Sequence, residues 1–291
     1  MFTGSFVALA TPFSDGQVDF ETLDELVEFQ LNSGTDGIVP CGTTGESPTL
    51  SHEEHKKVIE RVVSLVGGKI PVIAGTGSNS TAEAIELTAH ARKVGADGSL
   101  QVCPYYNKPM QEGFYQHFKA IADEVDIPLV LYNIPGRCAG GGLTAETIIR
   151  LADCENIVAV KEASGGLDLA SEVAMSTSLT VLSGDDSLTL PMAAVGGKGV
   201  ISVVANIVPA DVKAMTDLIL EGDLVSARKW HQKLFALAKN MLSLATNPIP
   251  LKAAMAMLEM SSDELRLPMT PLTDAQKSEL KQTLADYGLL S

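Results

Sequence analysis

The chain has 291 residues, 45% of them hydrophobic, which suits one large α/β domain or one domain with an appendage. Its 21 Lys and Arg residues against 36 Asp and Glu residues give a formal net charge of −15, which argues against binding to nucleic acid or to an anionic membrane. The sequence has neither an 18-residue apolar run nor a signal-like start, so we expect a cytoplasmic protein that does not enter a membrane.

Short apolar runs rich in β-branched residues alternate with longer amphipathic segments. The predicted strands are Ser5–Pro12, Asp36–Gly42, Ile70–Gly75, Gly98–Pro104, Pro128–Asn133, Ile157–Lys161, Thr180–Gly184 and Gly199–Val204. The helices predicted between them include Glu21–Asn32, Glu53–Val66, Thr81–Val94, Gln111–Glu124 and Ala145–Ala152. This alternation predicts a (βα)₈ barrel of the TIM type, and a doubly wound open sheet is the alternative.

Helix boundary signals support this assignment. Ser51 to Glu54 forms a capping box, and Gly34, Gly67 and Gly95 stand where helices should end. After Asn206 the pattern turns entirely helical, over Ala210–Glu221, Leu224–Leu244, Pro250–Met260 and Thr273–Tyr287. The first of these would complete the barrel. The sequence therefore predicts a catalytic barrel over residues 1–222 and a C-terminal helical extension over residues 223–291.

Lys161 stands at the end of the sixth predicted strand. A lysine buried in such a position is costly unless it is paired or has a lowered pKa. A desolvated, neutral amine is a nucleophile for carbonyl groups and can form a Schiff base. The alternative is a structural ion pair, with Glu162 as the nearest partner in sequence.

Polar side chains follow most of the predicted strands. In a barrel the carboxyl ends of the strands share one mouth, so these side chains should converge there. They occur in Thr11-Pro12, Gly42–Ser47, Gly75–Gly77, Pro104–Asn107, Tyr132-Asn133 with Arg137, Lys161-Glu162 and Ser183–Asp186. Each segment also has an ordinary interpretation, as turn residues, core tyrosines or a solvated arginine. Together they favour a site with a nucleophilic lysine, proton-carrying phenols and a cation for a carboxylate.

Metal and nucleotide motifs are weak in this chain. Asp185-Asp186 could bind a metal, but no other suitable ligand lies close in sequence. The four cysteines Cys41, Cys103, Cys138 and Cys154 are scattered, without zinc-site spacing. Gly75-Thr76-Gly77 lacks the third glycine of a dinucleotide motif, and no phosphate-binding fingerprint follows Gly140–Gly142. We therefore expect neither a metal nor an organic cofactor.

Six segments carry a resemblance to a known family. They are Gly42–Ser47, Pro104–Asn107, Leu131–Arg137, Val160–Ala163, Leu182–Asp186 and Asn247–Lys252. With them the whole chain resembles the dihydrodipicolinate synthase family, also called 4-hydroxy-tetrahydrodipicolinate synthase, of the pyruvate-aldolase superfamily that includes N-acetylneuraminate lyase. The resemblance implies a lyase that condenses pyruvate with L-aspartate 4-semialdehyde, in the first committed step of lysine biosynthesis through diaminopimelate.

The resemblance also implies a role for individual residues. Lys161 corresponds to the lysine that forms an imine with pyruvate, and Tyr132 to the group that donates and accepts protons. Thr43 and Tyr106 correspond to its partners in a proton relay, with the tyrosine reaching in from an adjacent subunit. We therefore expect a homo-oligomer; the family usually forms a tetramer built as a dimer of dimers, and dimers also occur.

The remaining substrate contacts follow from the same resemblance. Thr44, Gly184 and the backbone near Ile201 correspond to contacts with pyruvate. Arg137 corresponds to the clamp on the carboxylate of the second substrate. Arg137 argues against the alternative function of an N-acetylneuraminate lyase or related 2-keto acid aldolase. The loop Cys138–Gly142 is more glycine-rich than the family pattern, which bears on how Arg137 is held. A non-enzymatic small-molecule binder on a barrel scaffold is a third reading.

A regulatory site is implied as well. Bacterial relatives bind the feedback inhibitor L-lysine through residues that match Ser47, His52, His55, Asn79, Glu83 and Tyr105. His52 and His55 lie three positions apart on one predicted helix face, so they can share a neighbour. The alternative is a pair of ordinary surface histidines beside a helix cap. Pro48 departs from the small residue expected in this segment.

Overall fold

The computed structural model describes residues 1–138 and 141–290. Its main sheet has eight parallel strands: β1 Gly4–Ala8, β2 Gly37–Val39, β3 Ile73–Gly75, β4 Gly98–Val102, β5 Leu129–Asn133, β6 Ile157–Glu162, β7 Thr180–Ser183 and β8 Gly199–Ser202. They neighbour one another in the order β2-β1-β8-β7-β6-β5-β4-β3. A parallel bridge between Ile38 and Val72 joins the two ends of this series. The predicted barrel is therefore confirmed, and the open-sheet alternative is wrong.

The helices are α1 Phe20–Asn32, α2 His52–Val66, α3 Thr81–Val94, α4 Gln111–Glu124, α5 Ala145–Leu151, α6 Asp168–Ser176, α7 Thr189–Ala194, α8 Pro209–Glu221, α9 Leu224–Ser243, α10 Ile249–Met257 and α11 Asp274–Tyr287. The predicted capping box at Ser51 is present, and Gly67 and Gly95 end α2 and α3 in the left-handed region. The sequence pattern defines no bounds for α6 or α7. Both are short, and α6 buries only Ala170 and Val173, so their apolar periodicity is weak.

Several strands are shorter than predicted. β1 ends at Ala8 rather than Pro12, and β2 spans three residues rather than the predicted seven. The Leu9 amide still donates to the Val39 carbonyl of β2 at 3.0 Å. The next residues remain buried but leave the sheet, because the Ala10 amide donates to the side chain of Asn206 at 3.0 Å instead of to a neighbouring strand. The length of an apolar run at a barrel mouth therefore overestimates the length of the strand that forms there.

Alternating strand residues fill the inside of the barrel. Phe6, Val130, Ala159 and Leu182 belong to this inner cluster, and so does Tyr132 at the mouth. Residues of the opposite parity pack outward against the helices, as Val7 does. The interior is thus a packed layer of side chains that supports the mouth from below.

The last three helices, α9 to α11, follow the turn at Gly222 and Asp223, where the predicted division between residues 1–222 and 223–291 falls. That division remains a prediction about domain organisation. The end of α9 and the segment that follows it return to the barrel mouth, where Leu242 of α9 and Asn247 line the same cavity as barrel residues. Among the described helices, none combines the length and the apolar character needed to cross a bilayer.

Candidate active site

A cleft of about 550 Å³ opens at the carboxyl ends of the strands. Six of the predicted site residues line it: Thr43, Thr44, Tyr132, Arg137, Lys161 and Gly184. Its remaining walls come from the turns after the strands and from the C-terminal segment before α10: Ile134, Gly136, Ala163, Ser164, Gly165, Asp185, Asp186, Val203, Leu242, Ala245, Thr246 and Asn247. The ends of β2, β5, β6, β7 and β8 therefore converge on one cavity. Three other predicted segments, Thr11-Pro12, Gly75–Gly77 and Pro104–Asn107, contribute no residue to its lining.

Lys161 lies at the base of this cleft and is only 5% exposed. Burial lowers the pKa of its amine to about 8, with the negative charges of Asp185 and Asp186 acting in the opposite direction. The carboxylate of Glu162 accepts from the Asn133 side chain at 2.8 Å and from the Ser164 amide at 2.6 Å instead. Among the described residues no carboxylate lies within 4.0 Å of Lys161 Nζ. The ion-pair alternative is wrong, and a pKa of about 8 leaves roughly a tenth of the amine neutral at pH 7.

Tyr132 stands beside Lys161 because the two residues are register partners on β5 and β6. The amine lies 4.2 Å from the centre of the phenol ring. Burial raises the pKa of Tyr132, while the positive charge of Arg137 and a hydrogen bond with the Thr43 side chain oppose that shift. The phenol is therefore protonated at neutral pH. It lies next to the Lys161 amine, where it can donate a proton to a carbonyl group that the amine attacks.

Gly184 allows the turn after β7 to approach Lys161. Its amide donates to the Glu162 carbonyl at 2.7 Å. A Cβ at this position would lie 2.6 Å from the Cβ of Ala163 and 3.2 Å from the Cε of Lys161. Only a residue without a side chain fits here, and the absent Cβ leaves space beside the amine.

Thr44 and Arg137 are both held by Asn247 from the C-terminal extension. The Asn247 side chain donates to the Thr44 hydroxyl at 3.0 Å, and the Arg137 guanidinium donates to the Asn247 carbonyl at 3.0 Å. Sequence analysis recognised Asn247 within a motif but assigned it no role in the site. Only the fold shows that the extension forms a wall of the cleft.

Asp185 and Asp186 have different surroundings. Asp186 is buried and accepts from the Ser202 hydroxyl and from the amides of Val203 and Val204 at 2.9 and 3.2 Å, so it fixes the turn after β8. Burial raises the pKa of both carboxyl groups. Among the described residues no group of three or more His, Cys, Asp or Glu side chains is placed to hold a metal ion.

Two predicted residues are not brought into the cleft of this chain. Tyr106 is 88% exposed in the turn after β4, with a positive φ of 70°. Ile201 is fully buried in the inner cluster of the barrel, and Val203, two positions later, lines the cleft. The loop Cys138–Gly142 is described only in part, since Ala139 and Gly140 lie outside the described residues.

A separate, smaller cavity of about 170 Å³ lies between the first turns of α2 and α3. Five of the six residues predicted to bind lysine line it: Ser47, His52, His55, Glu83 and Tyr105. The sixth, Asn79, is not in the lining, but its side chain donates to the Tyr105 carbonyl at 3.2 Å.

The two histidines of this cavity have different environments. His52 contacts the Glu83 carboxylate at 2.6 Å. His55 is buried, which lowers its pKa, and its Nε2 donates to the Gly75 carbonyl at 2.7 Å. His55 therefore holds α2 against the end of β3, and His52 and Glu83 remain as the polar pair at the cavity wall.

Comparison with known proteins agrees with this geometry. Residues 1–287 match the model of the dihydrodipicolinate synthetase family. The 4-hydroxy-tetrahydrodipicolinate synthase of Geotalea uraniireducens is 54% identical over 292 residues, which cover all of both chains.

Two solved structures share the fold over nearly the whole chain. The dihydrodipicolinate synthase of Acinetobacter baumannii complexed with pyruvate is 43% identical, with a TM-score of 0.96 and coverage of 100% of both chains. That of Cyanidioschyzon merolae with lysine bound is 43% identical, with a TM-score of 0.95 and coverage of 99% of both chains. The full-length match, the barrel and the lysine at the base of its cleft lead to one conclusion: the chain belongs to the dihydrodipicolinate synthetase family.

Proposed function

We propose that the cleft condenses pyruvate with L-aspartate 4-semialdehyde through an imine on Lys161. This is the reaction of 4-hydroxy-tetrahydrodipicolinate synthase, a lyase, and the chain has that activity. The observation that carries the assignment of the nucleophile is Lys161 itself: a buried amine with a lowered pKa at the base of the cleft, without an ion pair to any described residue. Such an amine attacks a ketone at neutral pH.

The proposed steps depend on the imine, which withdraws electrons from the neighbouring carbon. The neutral amine of Lys161 adds to the ketone carbon of pyruvate, and water leaves to form the imine. Loss of a proton from the methyl group gives an enamine, whose carbon attacks the aldehyde of the second substrate. The amino group of that substrate then displaces Lys161 and closes the ring. We assign the proton transfers in these steps to Tyr132. Proton transfer by a positioned side chain typically accelerates a step by about 10²–10⁴-fold.

The substrates' carboxylates need partners in the cleft. We assign the pyruvate carboxylate to Thr44 and the backbone around Gly184 and Ile201. Arg137 is the cation at the rim of the cleft, and its guanidinium suits a bidentate contact with the carboxylate of the semialdehyde. Its anchor on the Asn247 carbonyl supports this role, because it directs the side chain across the opening.

Full activity requires a neighbouring copy of the chain in this proposal. Thr43 and Tyr132 are together in the cleft, whereas Tyr106 projects into solvent from the same chain. An exposed tyrosine in a strained turn suits insertion into the site of a neighbouring copy. We propose a homotetramer, built as a dimer of dimers, in which Tyr106 completes the proton relay. The cytoplasm remains the location that the sequence predicts.

A coupled assay tests the reaction. Purified protein receives pyruvate and L-aspartate 4-semialdehyde, and the next reductase with its nicotinamide cofactor reports the product. We expect the wild type to turn over and to retain pyruvate after borohydride reduction. Lys161→Ala should do neither. Release of pyruvate from N-acetylneuraminate, without condensation of the semialdehyde, would overturn the proposal in favour of a sister lyase.

We also propose that the smaller cavity binds L-lysine as an inhibitor. The Glu83 carboxylate beside His52 supplies a negative charge for an ammonium group, and the cavity lies next to Ser47 of the catalytic loop. Calorimetry with millimolar L-lysine checks this on the wild-type protein and on Glu83→Gln. The control is Glu86→Gln, whose carboxylate pairs with Lys56 on the surface. Equal binding to wild type and Glu83→Gln would contradict the assignment.

A further inference from the structure

The loop Gly42–Ser47, which carries Thr43 and Thr44, is built on unfavourable backbone. Cys41 and Glu46 have positive φ values of 55° and 51°, although both have side chains. Such conformations persist only where the surroundings hold them. The contacts that hold this loop therefore decide where its two threonines stand in the cleft.

The strongest of these contacts is a buried ion pair with the C-terminal extension. Glu46 is 3% exposed, and its carboxylate accepts from Lys252 of α10 at 2.5 Å and from the Arg266 amide at 3.3 Å. Lys252 is fully buried. Its amine also donates to the Glu264 carbonyl at 2.7 Å and lies 4.0 Å from the centre of the Phe13 ring.

The same segment of the extension reaches the cleft directly. Asn247 bonds to Thr44 and to Arg137, and the Lys252 amide donates to the Pro248 carbonyl at 2.9 Å in the first turn of α10. Lys252 therefore ties the start of α10, and with it Asn247, to the catalytic loop. Neither Glu46 nor Lys252 lines the cleft. Glu46 lines a neighbouring cavity of about 330 Å³, which shares Thr43 and Arg137 with the cleft.

A buried ion pair is weak evidence for stability, because two well-packed apolar side chains of similar volume are often as stable. Unlike a hydrogen-bonded ion pair, two apolar side chains do not fix the relative orientation of the segments that carry them. We propose that Glu46 and Lys252 are positioning residues of the reaction: their ion pair sets the Gly42–Ser47 loop so that Thr43 meets Tyr132 and Thr44 faces the bound substrate. This inference rests on the proposed function.

The test separates position from stability with the double variant Glu46→Met with Lys252→Met. Its readouts are Tm, the rate of borohydride trapping with pyruvate alone, and kcat and KM normalised to trapped sites. We expect a Tm close to that of the wild type, with kcat and the trapping rate lowered about 10- to 100-fold and a smaller change in KM for pyruvate. Wild-type rates in the double variant would overturn the proposal.

Two further variants keep the result interpretable. If the double variant does not fold, Glu46→Gln decides, because it keeps the shape of the side chain and removes its charge; an unchanged trapping rate there also overturns the proposal. Lys277→Met is the control, since its pair with Asp263 at 3.0 Å lies on the surface of the same extension. The trapping readout needs no second substrate, so failure of the coupled assay in the wild type would reject only the proposed condensation.

Discussion

Two lysines are buried in the part of the chain that the structure describes, and their surroundings differ. Lys161 is 5% exposed at the base of the cleft, with no carboxylate in contact among the described residues. Lys252 is fully buried outside the cleft, where it bonds to a carboxylate and to a backbone carbonyl. Burial lowers the pKa of both amines. The charge and hydrogen bond of Glu46 oppose this shift at Lys252, whereas only the charges of Asp185 and Asp186, which do not contact the amine, oppose it at Lys161. Burial alone therefore does not make a lysine a nucleophile.

The position of each lysine in the fold explains the difference. Lys161 ends a central strand and faces an open cleft, so a carbonyl compound can reach it. Lys252 is enclosed between the extension and the Gly42–Ser47 loop, where Phe13 covers its amine. One amine is available to a substrate, and the other is committed to the structure. The following predictions test this contrast.

The largest expected effect is the loss of catalysis in Lys161→Met. Without the amine no imine forms, and turnover falls by about 10⁴-fold or more. Because no carboxylate in the described part of the chain pairs with this amine, the variant should unfold at a temperature no lower than the wild type. Borohydride trapping, the coupled assay and a thermal melt check these outcomes. A variant that retains trapped pyruvate would show that another amine is the nucleophile.

The converse effect is expected in Lys252→Met. Its removal leaves the Glu46 carboxylate buried without its cation, which costs about 3–5 kcal/mol in the free energy of unfolding. Denaturant titration measures this loss. The surface control Lys277→Met should change stability by no more than about 1 kcal/mol. If Lys252→Met were as stable as the control, the contrast between the two buried lysines would fail.

Of the two buried lysines, Lys161 could be predicted from the sequence as a site residue, whereas the pairing of Lys252 with Glu46 could not. Lys161 and Tyr132 were predictable because they end central strands, and strand ends of a barrel share one mouth. The Glu46–Lys252 pair joins residues 206 positions apart, and nothing in the local pattern of either residue indicates the other. The same holds for Asn247 and Thr44. Contacts between the extension and the loop depend on how α10 packs, which periodicity does not specify.

The rate of imine formation should depend on pH through Lys161. Burial lowers the pKa of its amine from the usual 10.5 to about 8, and only the neutral form attacks. The trapping rate should therefore rise about tenfold per pH unit below 8 and level off above it. Single-turnover trapping with pyruvate between pH 6 and 10 measures the profile. A rate that keeps rising beyond pH 10 would mean that the amine has an ordinary pKa.

The smallest effect is expected from added bulk beside the amine. In Gly184→Ala the new methyl group would lie 2.6 Å from the Cβ of Ala163 and 3.2 Å from the Cε of Lys161, so the turn after β7 must shift. We expect a loss of about tenfold in kcat/KM for pyruvate, because displacement of reacting groups by a fraction of an ångström weakens their alignment. Gly136→Ala, where a Cβ meets no atom within 4 Å, is the matched control in the same cleft. Equal kinetics in the two variants would show that the space beside Lys161 is not limiting, and that the amine's reactivity depends on its desolvation rather than on the fit of its neighbours.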